Sequence, residues 1–409
     1  MNFRGNILHN IRKQRQDNPG AWLNESLPFD HGLRLPTEYK ALMTTLFDEC
    51  NIAKRRENFI NLEILLANLL RHRSRPIAIS LSPNHWKKSR YTRAGFSVVR
   101  MVKNMHERGF LELRTGYRTH KESRLSRIWA TEKLLEYCKA YPRMVCYEPV
   151  ELVELRDENK QPKDYKDTAR TQRIRAILAK ANKVNTSAEI FSGDWQLKPF
   201  LVAIFDRKFT LYGRLHTRGY RHLQGLSEDE RREITINGDP VVELDYKGLH
   251  PSLLYAAEGI QFRGDPYSIV DSRRTVRPFL KIILLTLLNA KDEIEAEKAA
   301  NYWLLNRTRE EWVTFRKLGI TRAKPLMEKF REAHASIAHY FCTGKETGLR
   351  LMNKDSTIAL DVVDHFIKQN IPCLPVHDSF IVQANYRDEL EQVMKSTYRR
   401  HTGFRIAVK

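Results

Sequence analysis

From Thr37 the chain takes up a helical rhythm. Leu42 and Leu46, then Phe59, Leu62, Leu65, Leu66 and Leu69, recur at steps of three and four, the spacing of one helix face. This predicts two amphipathic helices. The run IAISLS at 77–82 alternates and predicts a short strand. Residues 94–108 return to helical spacing, with Phe96, Val99, Val102 and Met105 on one face and Gly109 as the stop. FLELRTG and RLSRIWAT then flank the polar YRTHKES, the pattern of a β-hairpin. Before Thr37 the chain is polar and basic and is interrupted by Pro28, Gly32 and Pro36, so residues 1–36 read as an arm.

The polar stretch ELVELRDENKQPKDYK marks a junction, with 149–166 as linker, and a basic helix follows over 167–181. Beyond it the pattern changes. Residues 197–225 mix short apolar runs with Arg207, Lys208, Arg214, Arg218 and Arg221, interleaved with Phe205, Phe209, Tyr212 and Tyr220. NGD at 237–239 signals a hairpin turn, PVVEL a strand, and Asp245 falls at its end, before a helix carrying Pro251, Leu253, Leu254 and Ala257. RPFLKIILLTLLN opens on a proline suited to a first helical turn, with Arg277, Lys281 and Asn289 along one face. After a helix over 357–368, the apolar run CLPV leads to His377, Asp378 and Ser379 and on into FIV: a hairpin with an acid at its tip.

Charge narrows the partners. Lys plus Arg number 70 against 49 acidic residues, for a net charge of +21 and a pI near 9.7. Such an excess points first to nucleic acid. No apolar run reaches the ~18 residues of a membrane span and the N-terminus lacks a signal peptide's apolar core, so a cytoplasmic protein without membrane contact is expected. Cys50, Cys138, Cys146, Cys342 and Cys373 are odd in number and form no CxxC pair, which supports neither a disulfide framework nor a zinc ribbon.

The order helix, strand, helix, hairpin over 37–148 resembles a winged helix-turn-helix. Its helix carries Arg93, Arg100 and Lys103, and its hairpin Arg114, Arg118, His120, Lys121 and Arg124. Arg100, Lys103, Arg118 and Lys121 are the expected nucleic-acid contacts, with the helix in a major groove and the hairpin on phosphates. A solvated basic face on an interaction module would carry the same charges.

A lone strand-end aspartate is explained equally well as a helix cap. A second aspartate delivered in the same manner, with an Arg/Lys helix between the two, changes the balance, because phosphoryl transfer on two Mg²⁺ ions needs such a pair of oxygen ligands. LDYKGLHPSLLY around Asp245 resembles motif A of the family A DNA polymerases and the related single-subunit phage and mitochondrial RNA polymerases. Arg277-x3-Lys281-x7-Asn289 is similar to their motif B, and His377-Asp378-Ser379-Phe380 to their motif C. The resemblance covers roughly residues 195–400 and implies an α+β fold: a right-hand polymerase palm built on an antiparallel sheet, with helical fingers, over 167–409.

The resemblance implies further roles. Asp245 and Asp378 would be the metal-binding catalytic aspartates, with the Tyr246 carbonyl as an added ligand for two Mg²⁺ ions, or Mn²⁺ in their place. Arg277 and Lys281 would hold the triphosphate, with Lys281 as proton donor to pyrophosphate, and His377 would meet the primer terminus or incoming nucleotide. Arg214, with Arg218 and Arg221, would contact template and primer, and Asp355 falls near a position where many DNA-synthesising relatives carry glutamine. Two departures stand out: His250 replaces the usual Glu of motif A, and Asn289 the usual Tyr of motif B. An approach of His250 to Asn289 would make a substitute nucleotide gate.

The expected activity is template-directed nucleotidyl transfer, as a compact DNA polymerase or primase-polymerase of a mobile element, plasmid or phage. It would act on a DNA template and primer with nucleoside triphosphates, served by a replication helicase or small accessory protein. A single-subunit RNA polymerase or primase is the alternative within the class, and a winged-helix replication initiator or regulator the alternative outside it.

Overall fold

A computed structural model describes the chain apart from residues 1–18, 72–74, 88, 119, 121–122, 143–144, 219–221, 271–275 and 345. It divides into two compact units, Met1–Glu151 and Leu152–Lys409. Both mix helices with small sheets, and antiparallel pairing dominates.

In the first unit the helices Lys40–Glu49 and Arg56–Arg71 follow from the leucine spacing, and Leu46, Leu62, Leu65 and Leu66 are completely buried. The expected hairpin is present: Leu111–Arg114 pairs antiparallel with Ser126–Ala130, which also pairs with Ile77–Ile79. The helix Ser97–Glu107 buries Val98, Val99, Met101, Val102 and Met105. Phe96 does not join that face; it precedes the helix and is 45% exposed. Residues 19–36 are no free arm. Leu27–Pro28 adds a parallel edge strand to Ile77–Ile79, while Trp22 and Leu33 are buried. Trp22, Leu27, Phe29, Leu33 and Leu35, interrupted by Pro28, Asp30 and Gly32, anchor this segment.

The second unit is built on a six-stranded antiparallel sheet in the spatial order Trp195–Gln196, Ile190–Ser192, Ile234–Ile236, Asp239–Asp245, Ser379–Gln383, Leu374–Val376. Strand alternation splits its faces. Leu244, Phe380 and Val382 enter the large core beneath the helices Thr347–Lys368 and Arg387–Thr402, whereas Ile381 and Val376 join a smaller cluster with Leu223 and Leu226. Glu243 and Asp245, directly opposite Ile381 and Ser379, share that second face.

Beside this sheet, Phe200–Asp206 and Lys208–Arg218 form a long hairpin, and Val153–Arg156 pairs with the former in parallel. Part of the stretch read as linker therefore belongs to the second unit. Val153 and Leu155 are buried within a sequence whose polar neighbours mask their alternation. Ala169–Ser187 forms the basic helix, and the helix expected from 357 begins ten residues earlier, at Thr347.

Candidate active site

Asp245 ends its strand in register with Ser379, the residue after Asp378. Asp378 itself lies in a two-residue turn, since Val376 and Ser379 are the last paired positions on either side. The turn opens on His377 at φ 60°, a left-handed conformation that costs a non-glycine residue roughly 1–2 kcal/mol. Strain of this kind persists where the surroundings over-determine the backbone. Gly248, three residues past Asp245, is also left-handed (φ 61°), and a Cβ there would meet Pro266 Cγ at 2.8 Å. Only glycine lets the chain turn there from strand into the helix Leu249–Ala257.

The two carboxyls are electrostatically unsettled. Burial and then the charge of Asp378 push Asp245 up to about 6, against the opposing pull of Lys409 and Lys281. Asp378 is raised by burial and then by Asp355, against His250 and Arg214. Burial is the largest cause at both carboxylates, and at Asp245 the Lys409 ammonium, 3.5 Å from Oδ2, offsets it only in part. A hard divalent cation would supply further positive charge here, since Mg²⁺ is ordinarily held by one or two carboxylates with phosphate and water oxygens completing the shell. Among the described residues no group of three or more His, Cys, Asp or Glu is placed to hold a metal ion. The Tyr246 side chain is buried, its hydroxyl donating to the Met394 carbonyl at 2.7 Å.

Around the aspartates lies a second, buried cluster. Arg214 Nη2 donates to Asp355 Oδ2 at 2.9 Å, and His250 Nε2 stands 3.5 Å from the same oxygen, beyond good hydrogen-bond range. His250 Nε2, His377 Nδ1 and Arg214 Nε are buried without a hydrogen-bond partner. Burial, then Arg214, lowers the proton affinity of His377. His216, whose ring is 6.4 Å from that of His377, is pushed down to about 4 by burial and then by His377, and its Nε2 pairs with the Tyr212 hydroxyl at 2.9 Å.

The helix Arg277–Asn289 places its polar residues apart. Arg277 forms a two-pronged pair with Asp265, 3.0 Å in one prong, and its guanidinium lies 4.9 Å from the Tyr267 ring centre. Lys281, one turn on, is exposed, and its charge reaches both Asp245 and Asp265. Asn289 Nδ2 donates to the Leu285 carbonyl at 2.7 Å, and the side chain lies against Gly348. The acid near His250 in this structure is thus Asp355, 3.5 Å from its Nε2, and Asn289 packs on the start of the helix Thr347–Lys368.

Of the expected nucleic-acid contacts, Arg214 is mostly buried in its pair with Asp355, and Arg218 is forked onto Glu154 at 2.7 and 2.9 Å. Arg221 and Lys121 lie outside the described residues. In the first unit Arg100, Lys103 and Arg118 are exposed.

Sequence reasoning passed over three participants. Glu243, two residues before Asp245 and so on its face, accepts from Ser379 Oγ at 2.5 Å and from Arg231 Nε at 2.8 Å. The strand's period of two could have revealed it. Asp265 and Lys409 gave no signal. Lys409 exchanges two 3.0 Å backbone hydrogen bonds with Asp245, and the Lys247 N–H donates to the Ala407 carbonyl at 2.9 Å. Residues 407–409 thereby meet 245–247 in an isolated antiparallel bridge centred on Tyr246 and Val408.

No protein-family model matches this chain, and a search of curated proteins finds no match.

Proposed function

We propose that the second unit is a template-directed nucleotidyltransferase, with the six-stranded sheet as a polymerase palm and the helix Arg277–Asn289 in the position of fingers. The observation that carries this reading is the pairing of Asp239–Asp245 with Ser379–Gln383, which sets Asp245 beside the Asp378 turn, where burial raises the proton affinity of both carboxyls. Burial of two acids side by side disfavours folding, and a core under no functional demand would dispense with it. The first unit, with its exposed Arg100, Lys103 and Arg118, is read as a winged-helix-like DNA-binding module.

In the reaction a primer 3′-hydroxyl oxygen bonds to the α-phosphorus of a nucleoside triphosphate, the α–β phosphoanhydride bond breaks, and pyrophosphate leaves. Bound Mg²⁺ would acidify the hydroxyl and neutralise phosphate charge, held by Asp245, Asp378 and the Tyr246 carbonyl. Lys281, exposed and within electrostatic reach of Asp245, holds the triphosphate and stabilises the departing pyrophosphate. Arg277 joins it after exchanging Asp265 for phosphate, a swap of one two-pronged oxyanion partner for another. Ser379 and Arg231 fix Glu243, and through it the turn that carries Asp378. His377 and His250, each with a buried nitrogen lacking a partner, line the approach to the aspartates.

The test is primer extension on a defined DNA template with Mg²⁺, supplying dNTPs and rNTPs separately, for the wild type and Asp378→Asn. Synthesis by the wild type, lost in the variant while template binding persists, is the expected result. DNA binding by both proteins without synthesis from either would replace this reading with that of a replication initiator.

A further inference from the structure

The segment after the last helix alternates like a strand. Phe404, Ile406 and Val408 pack against the core of the second unit, whereas Arg405, Ala407 and Lys409 face outward. Gln261 clamps its start from both sides, its Nε2 donating to the Arg405 carbonyl at 2.9 Å and its Oε1 accepting from the Arg405 N–H at 2.8 Å. At its end, Asp245 and Lys409 exchange both backbone hydrogen bonds. Residues paired in this way in an antiparallel ladder project their side chains to the same face. Lys409 Nζ accordingly lies 3.5 Å from Asp245 Oδ2. The ladder fixes the lysine backbone, while its side chain, 59% exposed, stays free to swing.

We infer that the Lys409 ammonium is a resident counter-ion for Asp245 and that a divalent cation binding Asp245 displaces it, so that the tail strand tunes metal loading. The inference rests on the reading of Asp245 and Asp378 as metal ligands. An ammonium and a divalent cation drawn to the same carboxylate repel each other, so the metal binds best with the ammonium swung away. Metal binding therefore includes the cost of breaking the ion pair. For a pair this exposed the effect is modest, about three- to fivefold in affinity.

Mn²⁺ binding to the 409-residue protein, read by electron paramagnetic resonance without nucleotide, tests this independently of synthesis. Lys409→Met should tighten Mn²⁺ binding about three- to fivefold, and Lys409→Arg should leave it near the wild-type value. In an Asp245→Asn background the Lys409→Met effect should disappear. Unchanged or weaker binding by Lys409→Met, with a wild-type melting temperature, would overturn the counter-ion role while leaving the metal site intact. Failure of the wild type itself to bind Mn²⁺ would remove the metal site and the inference together.

Discussion

Asp355, only 1% exposed in the middle of the helix Thr347–Lys368, accepts a 2.9 Å hydrogen bond from Arg214 on the long strand of the neighbouring hairpin. The pair joins two elements distant in sequence next to the candidate site, with His250 Nε2 3.5 Å from Asp355 and the charge of Asp355 reaching Asp378. A buried charge is tolerated only while its partner is present.

Removing one member of this pair should therefore cost far more than removing both. Asp355→Leu or Arg214→Met alone is expected to destabilise the second unit by about 3–5 kcal/mol, and the two together by much less. Urea unfolding of the four proteins of the cycle checks this; equal costs for single and double variants would remove the pair from the stability argument.

The raised affinity of Asp245 for a proton makes a signed prediction. The folded protein binds this proton more tightly than the unfolded chain, so the metal-free protein loses stability as pH rises from about 4 to about 6. Asp245→Asn removes that contribution. The melting temperature of Asp245→Asn minus that of the wild type should grow across this window and level off above it. Mg²⁺ should raise the wild-type melting temperature at pH 7 and leave the variant nearly unchanged.

Gly348 gives a steric test. A Cβ there would fall 2.7 Å from Asn289 Cγ and 2.8 Å from its Nδ2. Glycine to alanine in a helix ordinarily stabilises by about 1 kcal/mol. Here Gly348→Ala should instead destabilise by about 1–3 kcal/mol, as overpacking does. Adding Asn289→Ala should recover most of the loss, as measured by chemical unfolding. A stabilising Gly348→Ala would show that Asn289 moves aside freely.

In the first unit, Arg100 and Lys103 stand exposed on the helix Ser97–Glu107. Replacing both with alanine should leave the melting temperature within about a degree. The slope of log affinity for duplex DNA against log salt should become shallower by about 2, since each phosphate contact contributes close to one unit. An unchanged slope would assign nucleic-acid contact to other surfaces.

Much of this site was legible in the chain. An apolar run ending on Asp245, a second ending just before Asp378, and a helix bearing Arg277 and Lys281 are local patterns, because a strand's period of two and a helix's of three to four are printed in neighbouring residues. So were the leucine-spaced helices of the first unit and its hairpin. By itself the sequence thus determined which segments bury which face and where the acids emerge. Only the tertiary structure decided the pairings. Arg277 turned to Asp265, His250 to Asp355 and Arg218 to Glu154, and Lys409 came to rest beside Asp245. Each of these charges had many possible partners along a chain with 119 acidic and basic side chains. Periodicity carries no information on long-range choice, which is settled by which strands pair, in what register, and which charges burial forces to find one another.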